Sequence, residues 1–233
     1  MKVKQAISTR SPWLIGTVVL ALLATLSVSA KNCDEWRQVD AFDRLHVTAA
    51  VEIEVSQAQH SAVCFSSEQL DPSALTVQSI DGVLYVDGSR VDPNLTIHVA
   101  SPVIRDIYVN APARISGDAI TASRLVLESH GPSDIRMRNM QVQDLVVQGS
   151  GNVSFRMSGA ATHQSVDLDG IGAYLAQDLA SETSQVSVRG SGRVELWVEE
   201  ILDVDIFGAA SVLYGGSPWV SQNITGHGAI GRF

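Results

Sequence analysis

The sequence predicts an all-β fold: a single-domain β-solenoid, similar to a parallel β-helix, with repeats of about 20 residues and a hairpin-decorated N-terminal cap. Two observations predict it. From residue 107 onward one short glycine-rich phrase keeps returning. Apolar residues at alternate positions flank the phrase, which is the pattern of strands with one buried face. No segment after the leader carries a helical period.

The chain opens on a leader. Met1 to Arg10 is basic, Trp13 to Leu26 is an apolar run broken only by Gly16, Thr17 and Thr25, and Val28-Ser29-Ala30 supplies small residues before an expected cut at Lys31. The run is shorter than the roughly 20 apolar residues of a comfortable span. Residues 1–30 therefore read as a signal peptide, 31–41 as a linker and 42–233 as the domain. An anchor that stays uncleaved is the alternative. Lys31 and Asn32 stand where a lipoprotein would need small apolar residues before Cys33. No later stretch could cross a membrane as a helix.

The 233 residues carry a formal charge of −9, and removing Lys2, Lys4 and Arg10 with the leader makes the mature chain more acidic still. That excludes a nucleic-acid binder, whose affinity comes from neutralising phosphates, and docking on an anionic membrane surface. Cys33 and Cys64 both survive cleavage. In an exported chain an even count points to a disulfide, and no CxxC suggests a metal or redox pair.

The first strands follow as Leu45 and Val47, then Ala49-Ala50-Val51-Glu52-Ile53 and Val55. A strand through Cys64 leads to a turn at Asp71-Pro72. A hairpin from Leu75 to Val86 turns at Asp81-Gly82, and Leu95, Ile97 and Val99 alternate as another strand. These are expected to be the first solenoid turns, elaborated into a cap, because terminal repeats are atypical.

The repeat proper comes next. Its clearest copies are Gly149-Ser150-Gly151-Asn152-Val153 and Gly190-Ser191-Gly192-Arg193-Val194, and its weaker ones begin at Ala111, Gly131, Gly170, Gly208 and Gly226. Ile107 and Val109, Leu145 and Val147, Val166 and Leu168, Val186 and Val188, and Val204 and Ile206 precede the turns. The expected inward column is Val147, Leu168, Val188 and Ile206. Glycine at the turns permits a tight corner with positive φ; a phosphate loop would need a following helix and a lysine.

At Phe42-Asp43-Arg44-Leu45-His46-Val47, Asp81-Gly82-Val83-Leu84-Tyr85-Val86 and the Gly-Ser-Gly phrases, the chain resembles the auto-transporter adhesin head family, the GIN domain of exported bacterial proteins. The resemblance runs from about Phe42 to Phe233. It implies an exported β-solenoid in the periplasm or at the cell surface of a bacterium. Family turns read Gly-Ser-Gly-Asp or Gly-Ser-Gly-Asn; here only Gly149 to Asn152 keeps that fully.

Chemistry is sparse. Asp167 with Asp169, and Asp203 with Asp205, point outward from one strand each and could hold Ca²⁺ or serve a sugar-cleaving enzyme. Arg189 between Asp169 and Phe207 makes a salt-bridge ladder the cheaper account. Six histidines show no close metal spacing, and no nucleophile motif frames a serine. Arg136, Arg138 and Arg156, with Arg114 one turn earlier, gather on one outward face. They form either an anion or acidic-sugar site or ion pairs with Asp118 and Asp134. The expected function is a non-catalytic interaction, adhesion-type or scaffold module whose partner is a glycan or an envelope protein, with no cofactor. The alternative is a carbohydrate-active β-helix enzyme. A groove lined by carboxylates would favour the enzyme, and a flat, ladder-like face the module.

Overall fold

The computed structural model describes residues 33, 36–66, 75–88 and 95–233. The leader and the Asp71-Pro72 turn lie outside them. The described residues form seventeen strands and no helix, wound into a β-solenoid of about six turns.

Four long strands, β11 (Ser133–Gly151), β12 (Val153–Gly170), β13 (Ala173–Gly190) and β14 (Arg193–Gly208), each make one full turn and pair in parallel with the next. Inward and outward residues alternate along β11 except at Arg138-Asn139, Gln143-Asp144 and Ser150-Gly151, where two successive side chains point out. Each such break in the two-residue period is a corner, so a turn has three sides.

The sharpest corner belongs to Gly131, Gly151, Gly170, Gly190, Gly208 and Gly226, all at positive φ. From Gly151 onward each lies opposite the next. A Cβ at Gly190 would stand 2.4 Å from the Gly170 carbonyl oxygen, so here glycine is required for approach as well as for φ.

This stacking corrects the sequence register at one copy. In Gly149-Ser150-Gly151 the corner is the second glycine, and Gly149 faces the core. Val147 therefore stacks on Val166, Val186 and Val204, while Leu168, Val188 and Ile206 form the neighbouring column with Gly149 at its head. The physical reason is volume: a Cβ at Gly149 would meet the Phe155 ring at 2.9 Å. Phe155 joins the column of Ile115, Ile135, Tyr174, Val194, Val212 and Ile230. All four residues expected in one column are inward and buried.

One polar thread crosses the core. Tyr174 donates to Gln164 Oε1 (2.7 Å), Gln164 Nε2 donates to Ser181 Oγ (2.6 Å), and Ser181 donates to the Trp197 carbonyl (2.8 Å). Burial pushes the Tyr174 phenol pKa well above its usual value, so the hydroxyl remains a donor.

The N-terminal end departs from sequential stacking. β2 (Arg44–Val47) and β3 (Glu52–Gln57) make one turn. On one side of it lie β8 (Asp106–Val109) and β9 (Ala113–Asp118). On the other side lie β6 (Val83–Gly88) and β7 (Thr96–Ser101), although they come between in sequence. β5 (Leu75–Ile80) closes the β6 edge as the expected hairpin, with Asp81 (φ 49°) and Gly82 (φ 76°) both left-handed. β4 (Ala62–Ser66) runs antiparallel to β7 and β1 (Arg37–Gln38) antiparallel to β4. A Cys33–Cys64 disulfide spans a Cα–Cα distance of 6.0 Å at this end.

Between these ends, β10 (Thr121–His130) links β8 to β11. The last turn is β15 (Ser211–Gly215), β16 (Trp219–Gly226) and β17 (Ala229–Arg232); β16 pairs with β14, and β17 with β15.

Candidate recognition face

The arginines expected to cluster do so. Arg136 lies opposite Arg156, and Arg114 lies opposite Asp134. Each is held by a carboxylate. Asp134 accepts from Arg136 at 2.6 Å and from Arg156 at 2.8 Å, Glu52 lies 3.4 Å from Arg114, and Asp118 lies 3.9 Å from Arg138. Partial burial raises the Asp134 pKa, but the two guanidinium groups outweigh it, so the carboxyl stays below the ordinary range. An open trough of about 540 Å³ beside them is lined by Glu52, Arg114, Pro132, Asp134 and Asn152, with charges of both signs. The geometry is that of an ion-paired ladder.

Of the four paired aspartates, Asp167 joins an ion pair and Asp205 a hydrogen bond. Arg189 stands opposite Asp169 but reaches diagonally to Asp167, 2.9 Å away, because a long side chain spans the next-but-one position across strands. Asp205 accepts from Asn223 at 3.2 Å.

A second outward face carries what the sequence reading missed. Tyr85, His46 and Tyr108 occupy the same register position on three neighbouring strands. Their ring centroids are 5.4 and 4.6 Å apart, and His130 continues the row 5.5 Å from Tyr108. These are the separations of mutually attracting rings. Each ring is only half-buried. The signal was present: His46, Tyr85 and Tyr108 each sit between two apolar residues, in Leu45-His46-Val47, Leu84-Tyr85-Val86 and Ile107-Tyr108-Val109. It becomes legible only when β6 is known to stack on β2.

His130 ends the stripe in a polar bracket. Its Nε2 lies 2.7 Å from Glu128 Oε1 and its Nδ1 2.7 Å from Ser150 Oγ. A neutral ring satisfies both, donating to the carboxylate and accepting from the hydroxyl. Serine, imidazole and carboxylate are thus aligned as in an acyl-transfer relay. They stand on an open face beside Tyr108, and a trough of about 600 Å³ lies elsewhere along Thr121, Gln141, Ala160, Ala180 and Glu199. The bracket fixes the ring that terminates the stripe.

Residues 41–218 match the family described as "Putative auto-transporter adhesin, head GIN domain". The chain belongs to that family. The fold of this GIN domain is that of a putative adhesin from Bacteroides fragilis, at 20% identity and a TM-score of 0.80, covering 85% of this chain and 95% of the other. A putative adhesin from Parabacteroides distasonis (18%, TM-score 0.65) and a structure from the same species described as a putative lipid binding protein (16%, TM-score 0.63) share it over the same proportions. No curated protein matches the chain in sequence.

Proposed function

We propose that this GIN domain is an exported, non-catalytic recognition module of the bacterial cell envelope, of adhesin type, and that its aromatic stripe engages a glycan. One observation carries the reading: Tyr85, His46, Tyr108 and His130 form a continuous row of half-exposed rings across neighbouring strands of a rigid sheet. Ring faces and edges cover the apolar C–H surface of a sugar, while flanking groups such as Glu128 and Gln148, next in the same register row, can bond hydroxyls. Rigid strands hold these groups without an ordering cost on binding. An acidic chain whose patch arginines are already paired favours neutral sugars over acidic ones.

A glycan array probed with the full chain tests this. Tyr108→Ala should abolish the binding of neutral glycans, and an Arg136→Ser, Arg138→Ser, Arg156→Ser triple variant should keep it, losing only the modest stability that its exposed ion pairs supply. Loss in the triple variant with retention in Tyr108→Ala would transfer the site to the arginines. Release of new reducing ends from a bound glycan would instead make the protein an enzyme.

A further inference from the structure

The two ends of the solenoid are built differently. The N-terminal end is closed by strands running against the coil, β5 on one side and β4 with β1 on another. At the opposite end nothing among the described residues stacks on the last turn. Among the described residues β16 has β14 on one side only, so its other edge presents unpaired backbone donors and acceptors. Natural sheets protect such edges with lysines, prolines or bulges; β16 reads Trp-Val-Ser-Gln-Asn-Ile-Thr-Gly and has no charge and no proline. Residues 216–233 contain no acid in a chain of net charge −9.

The core is open here as well. Register places Val220 over Leu202, Gln222 over Val204 and Ile224 over Ile206, all facing inward. Ile224 is 37% exposed and Trp219, on the outer side of the strand, 69%. Gln222 is the one member of its position that is not aliphatic, since Leu127, Val147, Val166, Val186 and Val204 precede it.

The pattern of β16 is complementary to itself. Laid antiparallel on a second copy with the two-fold axis at Gln222, Val220 falls opposite Ile224, Ser221 opposite Asn223, and Gln222 opposite its own equivalent. Inward apolar residues meet apolar ones, outward polar residues meet polar ones, and the central amides can donate to one another. A buried amide on an axis is a known device for setting register, because any slip leaves it unpaired. The absence of acids removes the like-charge repulsion that two copies of an acidic chain would otherwise feel. A two-fold contact of this kind also closes, leaving no further open end.

We propose that two copies of the chain join end to end through the edges of β16, in antiparallel register about Gln222. The full chain, produced with its leader in an exporting bacterial host, should sediment and scatter light as a dimer. Ile224→Lys should be monomeric with an unchanged circular dichroism spectrum, since from this inward but 37%-exposed position a lysine can reach water past the free edge, which a second copy would cover. Gln222→Cys should cross-link covalently under air, because directly opposed Cα atoms lie within disulfide reach, and Ser221→Cys, opposite Asn223, should not. A wild-type monomer at the highest attainable concentration overturns the proposal, whether solvent, a further segment or another protein covers this end. So does a dimer that survives Ile224→Lys, or one that cross-links equally through both positions.

Discussion

Asp134 shows how much a single side chain decides. Its carboxylate lies between guanidinium groups from two consecutive turns, and that arrangement turns a cluster of like charges into a stitched seam. Which arginines would gather was legible from their spacing. Which carboxylate would hold them was not, because Arg136 reaches back along its own strand while Arg156 reaches across to the neighbouring one. The consequence is a stability that depends on acid. The folded pKa of Asp134 is depressed, so its contribution is complete above the unfolded value near about 3.9 and is lost as pH falls through the folded value. Denaturant titrations should find Asp134→Asn less stable than the parent near neutrality, with the gap closing as the pH is lowered past that range. A constant gap at all pH values would mean that the seam contributes nothing.

At the level of the strand, the corner glycines separate conformational strain from crowding. Gly131 has φ +103° and open space where a Cβ would go, whereas Gly190 has φ +120° and a carbonyl oxygen 2.4 Å from that point. Gly131→Ala should cost only the strain of a left-handed backbone, on the order of 1–3 kcal/mol. Gly190→Ala must in addition push two turns apart and should cost clearly more; chemical denaturation of the two variants gives the comparison. The period of the strands was readable because alternation and corner residues recur together. The shift at Gly149 was not, because the phrase holds two glycines and only the volume of Phe155 selects the corner. The Leu75–Val86 hairpin was readable from Asp81-Gly82 alone, since turn chemistry is local. That its second strand would lie against β2 depends on pairing between distant segments, which no local pattern encodes.

For the whole molecule, the closed N-terminal end makes a prediction of its own. Cys33 and Cys64 are 31 residues apart, and cross-linking a loop of that length stabilises by roughly 3–4 kcal/mol in the chain-entropy model. Exported protein denatured without reductant should show no free thiol, and reduction should lower its melting temperature; two titratable thiols would refute the bridge. The same end has a bearing on how the chain reaches its fold. A solenoid whose turns follow sequence order can zip from its first turn as it emerges. Here β8 and β9 must find β2 and β3 across the whole intervening excursion, and β6 and β7 must have docked on the far side of the same turn. That central turn is therefore the slow nucleus, because distant ends must be brought together before any contact rewards it. Every turn from β10 onward adds to a finished template, so refolding should show one slow, length-independent step followed by rapid growth toward the C-terminus.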